Sequence, residues 1–64
     1  MDKLTHREIE IIEHTAYGMT AKEVARQTGL EPRTVEMYMQ NLRKKLGARN
    51  AAHAIYLYFH NIVN

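Results

Sequence analysis

Between Thr20 and Val35 the chain reads Thr20-Ala21-Lys22-Glu23-Val24-Ala25-Arg26-Gln27-Thr28-Gly29-Leu30-Glu31-Pro32-Arg33-Thr34-Val35, and this segment constrains the fold more than any other. Thr20 and Glu23 form a capping box: the hydroxyl accepts a terminal amide and the carboxylate reaches back. They open a short helix, Ala21 to Thr28, with Val24 and Ala25 facing inward. Gly29 stops it by supplying the left-handed cap that L-residues resist. Pro32 then sits at a first helical position, where its missing amide has no intrahelical partner to lose. Two helices joined so tightly cross closely, so Ala25 must be small. Leu30 fills the angle between them and Val35 anchors the second helix. This is the pattern of a helix-turn-helix.

Two further helices complete the chain. Thr5 and Glu8 make another capping box, opening a helix that runs to about Tyr17 and stops at Gly18. Ile11, Ile12 and Thr15 share one face of it, while Glu10 and Glu13 point to water. Glu8 is expected to pair with a basic residue of the third helix as well as to cap. That third helix extends from Pro32 to Leu46, with Val35, Met39, Leu42 and Leu46 forming one buried stripe, and Gly47 closes it. Asn50 can cap a fourth helix from about Ala51 to Ile62. No strand pattern, repeat or linker interrupts this order. The expected fold is therefore all-α: one domain over residues 1–64, with helices at about 6–17, 21–28, 32–46 and 51–62.

A chain of 64 residues is small. A domain this size buries only ~60% of its unfolded surface, so stability must come from helix packing or from a partner. There is no cysteine, and His6, His14, His53 and His60 never recur at helical ligand spacing, so no metal site is expected. No cofactor or small-molecule ligand is expected either. No nucleophile–base pair or phosphate loop is present, and the chain is too short to enclose a pocket, which argues against an enzyme. No apolar run approaches a membrane span and no signal peptide opens the chain, so a soluble cytoplasmic domain is expected.

The net charge of +2 is uninformative as a total but not in its distribution. Residues 1–31 carry four basic and six acidic side chains, whereas residues 32–64 carry five basic ones against Glu36 alone. Such asymmetry makes one face attractive to phosphate. With the Val35–Leu46 stripe buried, Arg33, Thr34, Glu36, Met37, Tyr38, Gln40, Asn41 and Lys44 fall on the open side of the third helix. A helix of this kind fits the major groove of B-DNA. Arg43 and its lysine neighbours, by themselves, read as a solvated helix end.

Several motifs stand in order at family spacing: Leu4-Thr5-x-Arg7-Glu8, Gly18-Met19-Thr20-x-Lys22-Glu23-Val24-Ala25, Thr34-Val35, Lys45-Leu46-Gly47 and Ala54. Together they resemble the DNA-binding domain of LuxR-type (GerE-like) regulators from Leu4 to about Tyr58. The resemblance implies a bacterial transcription regulator that binds a two-fold symmetric site in double-stranded DNA as a homodimer. The family usually joins this domain to a receiver or ligand-binding module, so the chain reads as a stand-alone or excised version. By the resemblance, Thr20 and Lys22 touch the DNA backbone, and Arg33 with Thr34 grips phosphate. Glu36, Met37 and Gln40 face bases, and Lys45, with Lys44 beside it, makes a second backbone contact. Met37 is a candidate for contact with a thymine methyl.

The chain departs from the family pattern at several positions. Glu31 replaces a capping Ser or Thr, Glu36 a basic residue, Tyr38 a His and Ala51 a frequent Arg. His14, Thr15 and Thr28 occupy places where the family favours large aliphatics. A carboxylate at position 36 is repelled by phosphates but can accept a hydrogen bond from cytosine. On the fourth helix Ala51, Ala54, Ile55, Tyr58 and Ile62 form a core stripe, and Ala52, Tyr56, Phe59 and Val63 form a second. A helix apolar on two sides calls for two covers, so the second stripe is the expected dimer interface. The alternative is an interaction module that no longer binds DNA and inhibits a larger LuxR-type regulator as a mixed dimer.

Overall fold

The computed structural model describes residues 3–63, with side chains described through Asn61. Four helices follow in order: α1 (His6–Ala16), α2 (Ala21–Thr28), α3 (Pro32–Leu46) and α4 (Ala51–Val63). There is no strand among the described residues. Both capping boxes are closed. The Thr5 and Thr20 amides donate to Glu8 Oε1 and Glu23 Oε1 at 2.8 Å, and the returning bonds to the threonine hydroxyls are 3.2 Å. α1 is one residue shorter than expected because the Tyr17 amide turns back to the His14 carbonyl, tightening the last turn before Gly18. Gly29, at φ +75°, closes α2 by donating to the Ala25 carbonyl at 2.8 Å.

The start of α4 uses a device that spacing did not suggest. Asn50 Oδ1 accepts from the His53 amide at 2.8 Å, as a cap should. His53 Nδ1 then accepts from the Arg49 amide at 3.0 Å, so an imidazole completes the reciprocal pair. Glu31, ahead of α3, makes no side-chain cap bond, and Pro32 removes one of the amides that would need it.

Ile11, Ile12, Val24, Val35 and Leu42 are the large side chains fully withdrawn from water. Each contributes roughly 1.5–3 kcal/mol on burial. Ala25, Ala54 and Tyr58 join them, with Leu30, Met39, Leu46 and Ile55 packed around the edge. Every helix thus supplies part of one core. The polar residues Thr15 and Thr28 are accommodated by their own helices: each hydroxyl donates to the carbonyl four residues back, at 2.8 Å.

Glu8 is the one buried charged side chain among the described residues. Its carboxylate meets Lys45 Nζ at 2.8 Å, joining the first turn of α1 to the last turn of α3. Burial alone would raise its pKa, but the bond from Lys45, the Thr5 amide and the ammonium charge outweigh it and hold the group below its ordinary value. Tyr58 goes the other way: burial first, then the Glu13 carboxylate, pushes its phenol up.

Candidate nucleic-acid interface

Val35 and Leu42, both fully buried, fix the orientation of α3 and so decide which of its residues remain outside. Arg33, Glu36, Met37, Gln40, Asn41 and Lys44 are exposed, as their spacing predicts. Met37 keeps 57% of its surface in water, a large unbranched apolar side chain among polar neighbours. Thr20 and Lys22 are exposed at the start of α2. The Thr20 oxygen accepts from the Glu23 amide.

Three residues differ from expectation. Tyr38 is half-buried against the core, because it lies one turn from both Val35 and Leu42 and flanks their stripe, yet it also lines an open hollow with Thr34, Met37 and Asn41. Thr34, one turn before Tyr38, is half-buried for the same reason. Lys45 is half-buried too, and its ammonium is bonded to Glu8 instead of standing free. Its exposed surface is 28% of the side chain.

Beside the α3 face runs an open groove of about 330 Å³, with Met19, Ala21, Glu36, Gln40, Arg43 and Ala51 among its walls. Arg43 is therefore part of this face and half-buried there, not at a solvated end. Its spacing from Glu36 was the available signal, since residues seven apart return to the same side of a helix. The face is electrically mixed. Lys22, Arg33 and Lys44 stand against Glu23, Glu31 and Glu36, all exposed. Bonds from the Thr20 backbone and hydroxyl hold the Glu23 carboxyl below its usual value, so that charge is permanent at neutral pH.

A small helix crossing a longer one, capped on both sides and exposing a row of hydrogen-bonding side chains, is the geometry shared by major-groove readers. The sequence match is decisive. Residues 2–58 match the family described as "Bacterial regulatory proteins, luxR family". The chain belongs to the LuxR family. This is a family of helix-turn-helix, DNA-binding transcription regulators and not of enzymes. Among curated relatives, the transcriptional regulatory protein UhpA of Escherichia coli is 47% identical over 49 residues, covering 77% of this chain and 25% of UhpA. The probable transcriptional regulatory protein SgaR of Hyphomicrobium methylovorum is 38% identical over 58 residues, 91% of this chain and 28% of SgaR. The transcriptional activator protein ExpR of Dickeya dadantii is 41% identical over 56 residues, 88% of this chain and 22% of ExpR. This LuxR-type chain thus spans about a quarter of the length of the curated relatives it matches.

The second apolar stripe of α4 is also exposed. Ala52 faces water, Tyr56 is 61% exposed and Phe59 37%. The side chains of Ile62 and Val63 lie outside the described residues. Tyr56 stacks on His60 with centroids 5.4 Å apart, which stiffens the patch. Tyr17, at the end of α1, is 84% exposed and shares with Glu13, Ala16 and Phe59 a hollow of about 390 Å³. Tyr17 was not expected there, because no local pattern relates the end of α1 to α4. No described helix is long and apolar enough to cross a membrane.

Proposed function

We propose that this chain is the sequence-reading unit of a bacterial transcription regulator, working in the cytoplasm as a homodimer on a two-fold symmetric DNA site. The observation that carries the reading is the exposed face of α3, held outward by the fully buried Val35 and Leu42. Arg33, Thr20, Lys22 and Lys44 hold phosphates. Glu36, Met37 and Gln40 face base edges, with Asn41 beside them. Phosphate contacts supply much of the affinity and all of its sequence-independent salt dependence. Lys45, with one of its three ammonium donors on Glu8, adds a backbone contact from its exposed part. The α4 stripe of Ala52, Tyr56, Phe59 and Val63 joins the two copies, and Tyr17 extends the patch.

The test is binding to random and selected duplexes across a salt series. Arg33→Ala should weaken binding to all sequences and lower the salt slope by about one, whereas Gln40→Ala should change which sequence is preferred. An Arg33→Ala chain with unchanged affinity and slope would refute this placement of α3.

A second reading rests on the exposed Glu23, Glu31 and Glu36, which weaken the positive field of the face. In it the chain has left DNA and pairs through α4 with a larger LuxR-type regulator, inactivating it. Failure to bind any duplex at low salt, together with a stable complex with such a regulator, would favour this second reading.

A further inference from the structure

Glu36, Gln40 and Arg43 form a row on α3, and the inference from it rests on the reading that α3 lies in the major groove. The three positions are spaced i, i+4 and i+7, which at 3.6 residues per turn keeps them within about 60° of one another round the axis. At 1.5 Å per residue they span ~10 Å, about three base-pair steps. Other helices that read DNA spread their base contacts over the same span. All three line one groove, whose lining outside α3 is Thr15, Met19, Ala21 and Ala51, none of them charged. Neither the Arg43 guanidinium nor the Glu36 carboxylate takes a hydrogen bond or ion pair among the described residues.

We infer that Arg43 is a specificity-determining residue that reads a guanine in the major groove, at the far end of a row begun by Glu36. The chemistry of the row is ordered. A carboxylate accepts from the amino group of cytosine, a carboxamide pairs two-fold with adenine, and a guanidinium donates two-fold to O6 and N7 of guanine. Half-burial limits the directions open to the Arg43 stem, and the planar fork arrives with its donors already fixed. Within the row, Arg43 also supplies the one positive charge beside Glu36 and the neutral Gln40. A lysine at this position would keep the charge and lose the fork.

The experiment selects bound duplexes from a random pool with the wild-type chain, Arg43→Lys and Arg43→Gln, then measures affinities at two salt concentrations. The wild-type half-site should contain a required guanine, within about three steps of the base facing Glu36. Arg43→Gln should lose about 5- to 150-fold in discrimination at that guanine while still melting cooperatively. Arg43→Lys, which loses the fork but can still donate to O6 and N7, should keep part of that discrimination and nearly all of its affinity for random duplex. Retained guanine preference in Arg43→Gln overturns the inference. So does uniform weakening of Arg43→Gln on all duplexes with a salt slope lower by about one, which marks a phosphate contact. A wild-type chain that selects no sequence refutes the proposed function and this inference together. Selection that survives both substitutions refutes this inference alone.

Discussion

Replacing Glu8 by Gln removes the charge that holds Lys45 while leaving an oxygen for the Thr5 amide. The carboxylate side chain is 4% exposed and accepts from Lys45 Nζ and from the Thr5 amide, both at 2.8 Å. A hydrogen bond to a charged group contributes roughly 1.5–3 kcal/mol. Lys45 keeps partial access to water and can turn outward when unpaired, so the lower end applies, about 1.5 kcal/mol. In a domain of this size each kcal/mol moves the midpoint by roughly 4–8 °C, so Tm should fall by about 6–12 °C at neutral pH. Glu8→Ala also removes the capping acceptor and should lose about 2.5 kcal/mol. The pH dependence separates charge pairing from packing. Because the folded pKa lies below its ordinary 4.5, the stabilisation is complete above that value and disappears as pH falls through the folded one. The gap between wild type and Glu8→Gln should therefore be widest near neutrality and close in acid. Thermal melts followed by circular dichroism across that range test it. A gap under ~0.5 kcal/mol at neutral pH, or one that persists unchanged in strong acid, would refute the reasoning, since the pair would then lie within the range of an exposed one.

Leu42→Ala should lose about 2–5 kcal/mol, much of the whole stability of a domain this small at roughly 0.05–0.15 kcal/mol per residue; a cooperative melt near the wild-type midpoint would contradict the core described above. Tyr58 has a raised folded pKa, so its contribution is complete below 10.0 and is lost as pH rises through the folded value. Tyr58→Phe should accordingly show a shallower loss of stability on the alkaline side, and parallel alkaline melting curves would count against it. Tyr56→Glu combined with Phe59→Glu should shift sedimentation from dimer to monomer while the helical signal persists. A dimer that survives both charges would move the interface elsewhere.

Helix limits were legible in the sequence to within a residue or so. The capping boxes at Thr5 and Thr20, the glycine at position 29 and Pro32 act over three or four residues, so their consequences are local and need no knowledge of the fold. The stripe of Val35, Met39, Leu42 and Leu46 likewise told which side of α3 turns inward, because the helical period alone sets it. What spacing could not tell was the fate of residues on the border of that stripe. Tyr38 and Thr34 became half-buried, and the basic partner that Glu8 was expected to find on the third helix is Lys45, 37 residues away in sequence. Arg43 joined Glu36 and Gln40 along a groove whose other walls come from Thr15, Met19 and Ala21, with Ala51 at the start of α4. Tyr17 shares a hollow with Phe59 because the end of α1 and part of α4 line the same depression.

The division has one physical cause. Periodicity gives the direction of a side chain around its own axis, and capping gives where the axis begins and ends. Neither gives the angle at which two helices cross, and that angle decides which neighbour covers each border position. In this LuxR-type domain the sequence alone determined four helices and the outward face of the third. The tertiary structure decided which of its charges are already paired, at Lys45, and which, at Arg43, line an open groove without an ion-pair partner among the described residues.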